Sequence, residues 1–228
     1  MNSRRTFLQT GAALLIASPT SIAFAAKKEA PVTATEDLMR EHGIIRRCLL
    51  VYASVTAQLR AKPDTVDAAA LRRTGQLFRT FGEDYHEKKL EEQHIFPVIR
   101  KMKSVAPYAD LLTLQHQRGR EITTYLLAVT NAARISVGHA QSLATALEGL
   151  VRMYEHHAAR EDTIVFPAWK SNYTEKQLEA LSDEFEDIEK KTFGKDGFDD
   201  AAEKISAIEQ SLGIADIGRF TPPPPPSP

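Results

Sequence analysis

The 228 residues suffice for one domain with a substantial core, and the 43% hydrophobic and 26% charged fractions fit a globular chain. Lys and Arg number 29 against 30 Asp and Glu, for a formal charge of −1, and no basic stripe lies beyond the extreme N-terminus, which argues against a nucleic-acid partner. A lone cysteine, Cys48, excludes an intrachain disulfide framework and reads as a small core residue.

Residues 1–25 read as an export signal. Arg4 and Arg5 precede the apolar run GAALLIASPTSIAFA, and a small-residue cleavage pattern closes at Ala23-Phe24-Ala25. Paired arginines in that position indicate the twin-arginine route, a periplasmic product and a mature chain starting near Ala26. The run is short and interrupted by Pro19, so no stable membrane span is expected after cleavage.

Between residues 33 and 192 glycine and proline are sparse and no run alternates with a period of two, so the chain reads as helices. They are expected near 33–61, 65–103, 107–134, 138–170 and 174–192, with a shorter one at 199–212. Breaks fall at Lys62-Pro63-Asp64, Ala106-Pro107, Val137-Gly138 and Ser171-Asn172-Tyr173-Thr174, where Thr174-Glu175 suits a helix start. Four long helices with short links predict an all-α, up-down-up-down four-helix bundle over 33–170. The fifth carries Leu178, Leu181, Phe185 and Ile188 at helical spacing and should pack outside it, as part of a helical extension over 174–212. Residues 213–228 end in a proline-rich tail.

The chain also repeats itself. Glu91 and Glu161, Phe96 and Phe166, and Pro97 and Pro167 are each 70 residues apart, and His42 and His116 are 74 apart. Stepping along the fourth helix by four and three gives Leu143, Leu147, Leu150, Tyr154, His157, Glu161, Ile164 and Ala168. His157 and Glu161 are thus polar positions on an apolar seam, and His156 lies about 100° away. The first helix repeats the pattern with Leu38, His42, Ile45, Leu49, Tyr52 and Leu59, and the third with Leu112, His116, Gly119 and Leu126.

In the second helix, Leu71, Gly75, Phe78, Gly82 and His86 form one stripe and Glu91, Ile95, Val98 and Met102 another. Residues five apart in a regular α-helix point roughly 140° away from each other. A one-turn π-bulge within 86–91 would join the stripes. Glu83 reads as a flank acid, His139 as a solvated helix-end residue and His156 as a flank residue.

Four inward histidines and two inward glutamates on four helices would be costly to bury alone. A pair of metal ions satisfies them, with imidazoles capping each ion and the carboxylates between.

These residues resemble the hemerythrin-like family of His-His-Glu cation-binding four-helix bundles. The resemblance spans roughly 33–170 and rests on REHG with His42, YHEKKLEEQHIFP with His86 and Glu91, LQHQRGR with His116, and HHAAREDTIVFP with His157 and Glu161. It implies two non-haem irons bridged by an oxo or hydroxo group. It also implies His42, His86, His116 and His157 as terminal ligands and Glu91 and Glu161 as bridges. Two features depart from the family pattern. Arg120 stands where oxygen carriers have a further histidine, and His86 lies five residues from Glu91, where four is commoner. The second departure leaves the choice between Glu91 and its neighbours Glu87 and Glu92 open, and His94, three residues after Glu91, could also face the site. The extension resembles one found in an exported bacterial branch. By this resemblance the protein binds or senses a small ligand: oxygen, nitric oxide or peroxide. The alternatives are a di-iron enzyme reducing oxygen or peroxide, or acting in oxidative or nitrosative stress defence, and a metal store. The electron donor stays open.

Overall fold

A computed structural model describes residues 32–226; the signal-sequence reading falls on residues outside these. The described residues are helical, without strands. Helix α1 (Ala34–Ala61) starts at Thr33, whose side chain accepts from Glu36 N–H while Glu36 reaches back to the Thr33 N–H. It stops at Lys62, before a 3₁₀ turn at Pro63–Thr65. Asp67 then caps α2 (residues 68–99), so the expected start at 65 is corrected by a separate turn and a new cap. Helix α3 (Ala106–Val129) ends short of 134. At its end Thr130 Oγ1 donates to the Leu126 carbonyl, a local bond that competes with continuing the helix. Helix α4 covers residues 137–170.

The Thr174 start holds: its side chain and Gln177 form a capping box for α5 (Glu175–Phe193). Gly194, at φ 69°, closes that helix in the left-handed region that favours glycine. Asp196 caps α6 (Gly197–Ser211).

Helix α2 departs from one α-register. Ala68–Leu77 is α-helical, Phe78–Ile95 has π hydrogen bonding, and Phe96–Ile99 is α again. Helix α4 has a π turn at Glu161–Val165 between Val137–Arg160 and Phe166–Lys170. The widened segment of α2 is therefore far longer than the single turn expected at 86–91, and the one in α4 was not expected. Both end at a Phe-Pro pair, where the Phe96 and Phe166 N–H groups bond to the carbonyls of Glu91 and Glu161. A proline ring one residue on crowds the carbonyl four back, and a wider turn relieves the crowding.

The widening moves the buried face by one residue. Downstream of Glu161, Val165, Phe166 and Trp169 are buried while Ile164 and Ala168 are only partly so. After Glu91, Ile95, Phe96 and Ile99 are buried, with Val98 and Met102 at the margin. The seams of α1 and α3 are buried as expected.

The outer helices pack Phe185, Ala201, Ile205 and Ile208 into the core. Phe185 of α5 stacks on Trp169, ring centroids 6.0 Å apart. Arg47 of α1 holds α6 by a fork on Glu209, at 2.9 and 2.5 Å. Cys48 is buried and free. No described helix is long and apolar enough to cross a membrane.

Candidate metal centre

All six predicted residues are buried, and their donor atoms form adjoining clusters inside the bundle. Helix α1 supplies His42, α2 His86 and Glu91, α3 His116, and α4 His157 and Glu161. Glu91 Oε1 lies 3.2 Å from His86 Nε2 and 3.8 Å from His42 Nε2, and its Oε2 lies 3.2 Å from His116 Nε2. Glu161 Oε2 lies 3.0 Å from His157 Nε2 and 3.4 Å from His42 Nε2. The Nε2 atoms of His116 and His157 are 3.1 Å apart. Donor atoms of these six residues fall into two overlapping sets, His42 with His86 and Glu91, and Glu91 with His116, His157 and Glu161, and His116 also belongs to a third set with Glu87 and Glu92. Glu91 belongs to the first two.

The π register explains how Glu91 gets there. Between four and five residues per turn, about the pitch of i→i+5 bonding, bring Phe78, Gly82, His86, Glu91 and Ile95 to one side. Neighbouring Glu87 points elsewhere. Its carboxylate takes a short hydrogen bond from Tyr154 Oη and one of 3.1 Å from Arg120. His94 is turned away: its ring meets Phe185 edge-on at 5.3 Å and lies 3.8 Å from Glu184.

Each inward histidine is held from behind through Nδ1. His42 contacts Asp162 at 2.6 Å, His86 Glu41 at 2.7 Å, His116 Glu92 at 2.9 Å and His157 the Gln115 Oε1 at 2.9 Å. Carboxylate and amide oxygens accept, so Nδ1 carries the hydrogen and Nε2 presents its lone pair to the centre. Arg46 supports Asp162 at 2.5 Å, as Arg120 supports Glu92 at 2.5 Å. Phe166 stacks on His42 and Phe96 on His116, at 5.3 and 5.4 Å. The two Phe-Pro landmarks thus fix ring planes, each across the boundary between helix pairs.

The sequence reading missed these backing groups. A signal for them existed: Glu92 and Asp162 directly follow the seam glutamates, and Glu41 and Gln115 directly precede seam histidines. Glu83, expected on a flank, is buried instead; it is paired with Arg79 at 3.0 Å and accepts from Thr123 at 2.5 Å. Burial and the charge of Glu87 push its pKa up to about 7.

Electrostatics fit a cation. Both oxygens of Glu91 and of Glu161, and His86 Nε2, are buried with no hydrogen-bond partner among the described residues. Such orphaned acceptors cost about 1–3 kcal/mol each, more when charged. Burial opposes charging His116, yet the carboxylates of Glu87, Glu91 and Glu92 outweigh it and push its pKa up to about 10. Burial likewise opposes charge on His86 and His42, but Glu91 and Glu41 hold the first raised and Asp162 and Glu161 the second. Burial favours neutral Glu91 and Glu161, but the facing imidazoles lower both. Oxygen and imidazole donors with two acids suit one or two divalent transition-metal ions.

His157 is buried and His156 exposed. His157→Ala is therefore expected to weaken metal uptake by at least tenfold and His156→Ala to leave it unchanged, as read by metal analysis of the two purified variants.

The chain matches the model of the Hemerythrin HHE cation binding domain over residues 33–169. It is 43% identical over 197 residues to an uncharacterized protein of Mycobacterium tuberculosis, an alignment covering 86% of this chain and 76% of that one. An uncharacterized protein of Mycobacterium bovis matches with the same identity and coverage. No solved structure matches.

Proposed function

The chain belongs to the hemerythrin HHE cation-binding domain family, and from that premise we propose that it is a non-haem di-iron protein that binds or senses oxygen, nitric oxide or peroxide. The observation that carries this reading is Glu91, buried with one oxygen toward His42 and His86 and the other toward His116. His42, His86, His116, His157, Glu91 and Glu161 would hold the two irons, the glutamates between them. The irons would supply reducing electrons to a small oxidant. The protein's part is to aim four imidazoles by their Nδ1 bonds, to exclude bulk water, and to limit access. We further read the four long helices as an up-down-up-down bundle, residues 174–212 as an accessory extension, and the mature chain as periplasmic. Capped helix ends and short links support the first point, and the paired arginines support the last.

Arg120 favours a reactive centre over an oxygen carrier. Its guanidinium, tied to Glu87 and Glu92, stands beside His116 in place of a further imidazole. Four histidines leave positions open for an oxidant. The reduced, iron-loaded protein mixed with air in a stopped-flow spectrometer is therefore expected to oxidise without a reversible oxygenated form. Oxygen uptake that is undone under vacuum would defeat the reading.

A further inference from the structure

The hydrogen bonds behind the four histidines are built alike in the two halves except at one backing residue, while on the inner side Glu161 leans toward the second half, 3.0 Å from His157 and 3.4 Å from His42. In each half a residue just before the first histidine reaches across to the Nδ1 of the second. Glu41 precedes His42 and accepts from His86 at 2.7 Å; Gln115 precedes His116 and accepts from His157 at 2.9 Å. The other backing pairs match in kind: Asp162 with Arg46 behind His42, and Glu92 with Arg120 behind His116. So both imidazoles of the first half rest on carboxylates, whereas the second half has one on a carboxylate and one on an amide.

A carboxylate behind Nδ1–H makes Nε2 a stronger donor and stabilises positive charge beyond it, while an amide offers only a neutral dipole. Glu87 does not restore the balance. It is 4.0 Å from His116 Nδ1, is engaged by Arg120 and Tyr154, and makes no hydrogen bond to His157. Tyr85 Oη donates to Glu41 at 2.9 Å and fixes that carboxylate in place.

We propose that this difference in backing outweighs the lean of Glu161 and ranks the two metal positions: Glu41 makes the His42–His86 position the tighter, and Gln115 makes the His116–His157 position the second to fill and the first to exchange. The inference rests on the two-metal reading above. It makes Glu41 and Gln115 positioning residues, and it sets the exchangeable ion beside Tyr154, Glu87 and Arg120.

The test is anaerobic titration of the metal-stripped mature protein with Co(II), followed by ligand-field absorption and calorimetry. Two resolved steps are expected. Gln115→Glu is expected to tighten the second step about tenfold or more and leave the first alone. Glu41→Gln is expected to weaken the first by a similar factor and draw the steps together. Two indistinguishable steps in the natural protein overturn the ranking but leave two-metal binding standing. So does a Gln115→Glu effect that falls on the tighter step or weakens binding. Fewer than two Co(II) per chain in the natural protein would instead overturn the two-metal reading and this inference with it. If circular dichroism shows Gln115→Glu to be misfolded, the near-isosteric Glu41→Gln decides alone, since an unmoved first step contradicts the ranking.

Discussion

On the proposed two-iron reading, Glu91→Ala is expected to abolish metal binding in both halves, the largest single-residue effect in the centre. The carboxylate belongs both to the His42–His86 set and to the His116–His157–Glu161 set, with an oxygen 3.2 Å from His86 on one side and one 3.2 Å from His116 on the other. Deleting it removes a donor and a neutralising charge from each half at once. Glu161→Ala is expected to be milder, because its Oε2 sits closer to His157 than to His42. Removing even an outer-sphere partner lowers metal affinity some 10–100-fold, so losing the shared donor should exceed that. Iron analysis after anaerobic loading decides: a Glu91→Ala protein that still holds one tightly bound iron per chain would show that the halves bind independently.

Metal affinity is expected to climb steeply with pH between 6 and 9. An imidazole must be neutral to bind metal, and in the metal-free protein the carboxylates raise the pKa values of His42, His86 and His116, the last to about 10. Binding below that value expels protons, and each one expelled makes affinity rise about tenfold per pH unit. Metal-free stability runs the other way. The histidines' folded pKa values are raised, so their contribution is full below the unfolded value, about 6.5, and is lost as pH rises toward 10. Glu91 and Glu161 are lowered, so theirs is present above about 4.5 and lost as pH falls through the folded values. The metal-free melting temperature should therefore drop from pH 6.5 to 9.5 while the increase produced by metal grows. Parallel melting curves with and without metal would contradict the proton competition.

Helix placement and the six inward residues could be read from local signals, because a seam of Leu, Ile and Tyr interrupted only by His and Glu follows from helical periodicity alone. The 70-residue repeat and the caps at Thr33 and Thr174 are equally local. Periodicity also exposed the misfit between His86 and Glu91, since a five-residue step cannot keep one face of an α-helix. What it could not supply was how far the misfit spreads. The π register runs from Phe78 to Ile95 and recurs at Glu161–Val165, and there the buried face shifts from Ile164 and Ala168 to Val165 and Trp169. That choice depends on which face meets its neighbours, a matter of packing between helices distant in sequence. The backing partners have the same origin. Their place beside seam residues is local, but Asp162 lies 120 residues from His42 and Glu41 lies 45 from His86, so nothing along the chain says which histidine each one backs. Whether Glu87, Glu91 or Glu92 faces the centre was likewise open along the chain. Three acids within six residues have equal chemistry, and only the docking of α3, which brings His116 to Glu91, Glu92 and Arg120, assigns each its place.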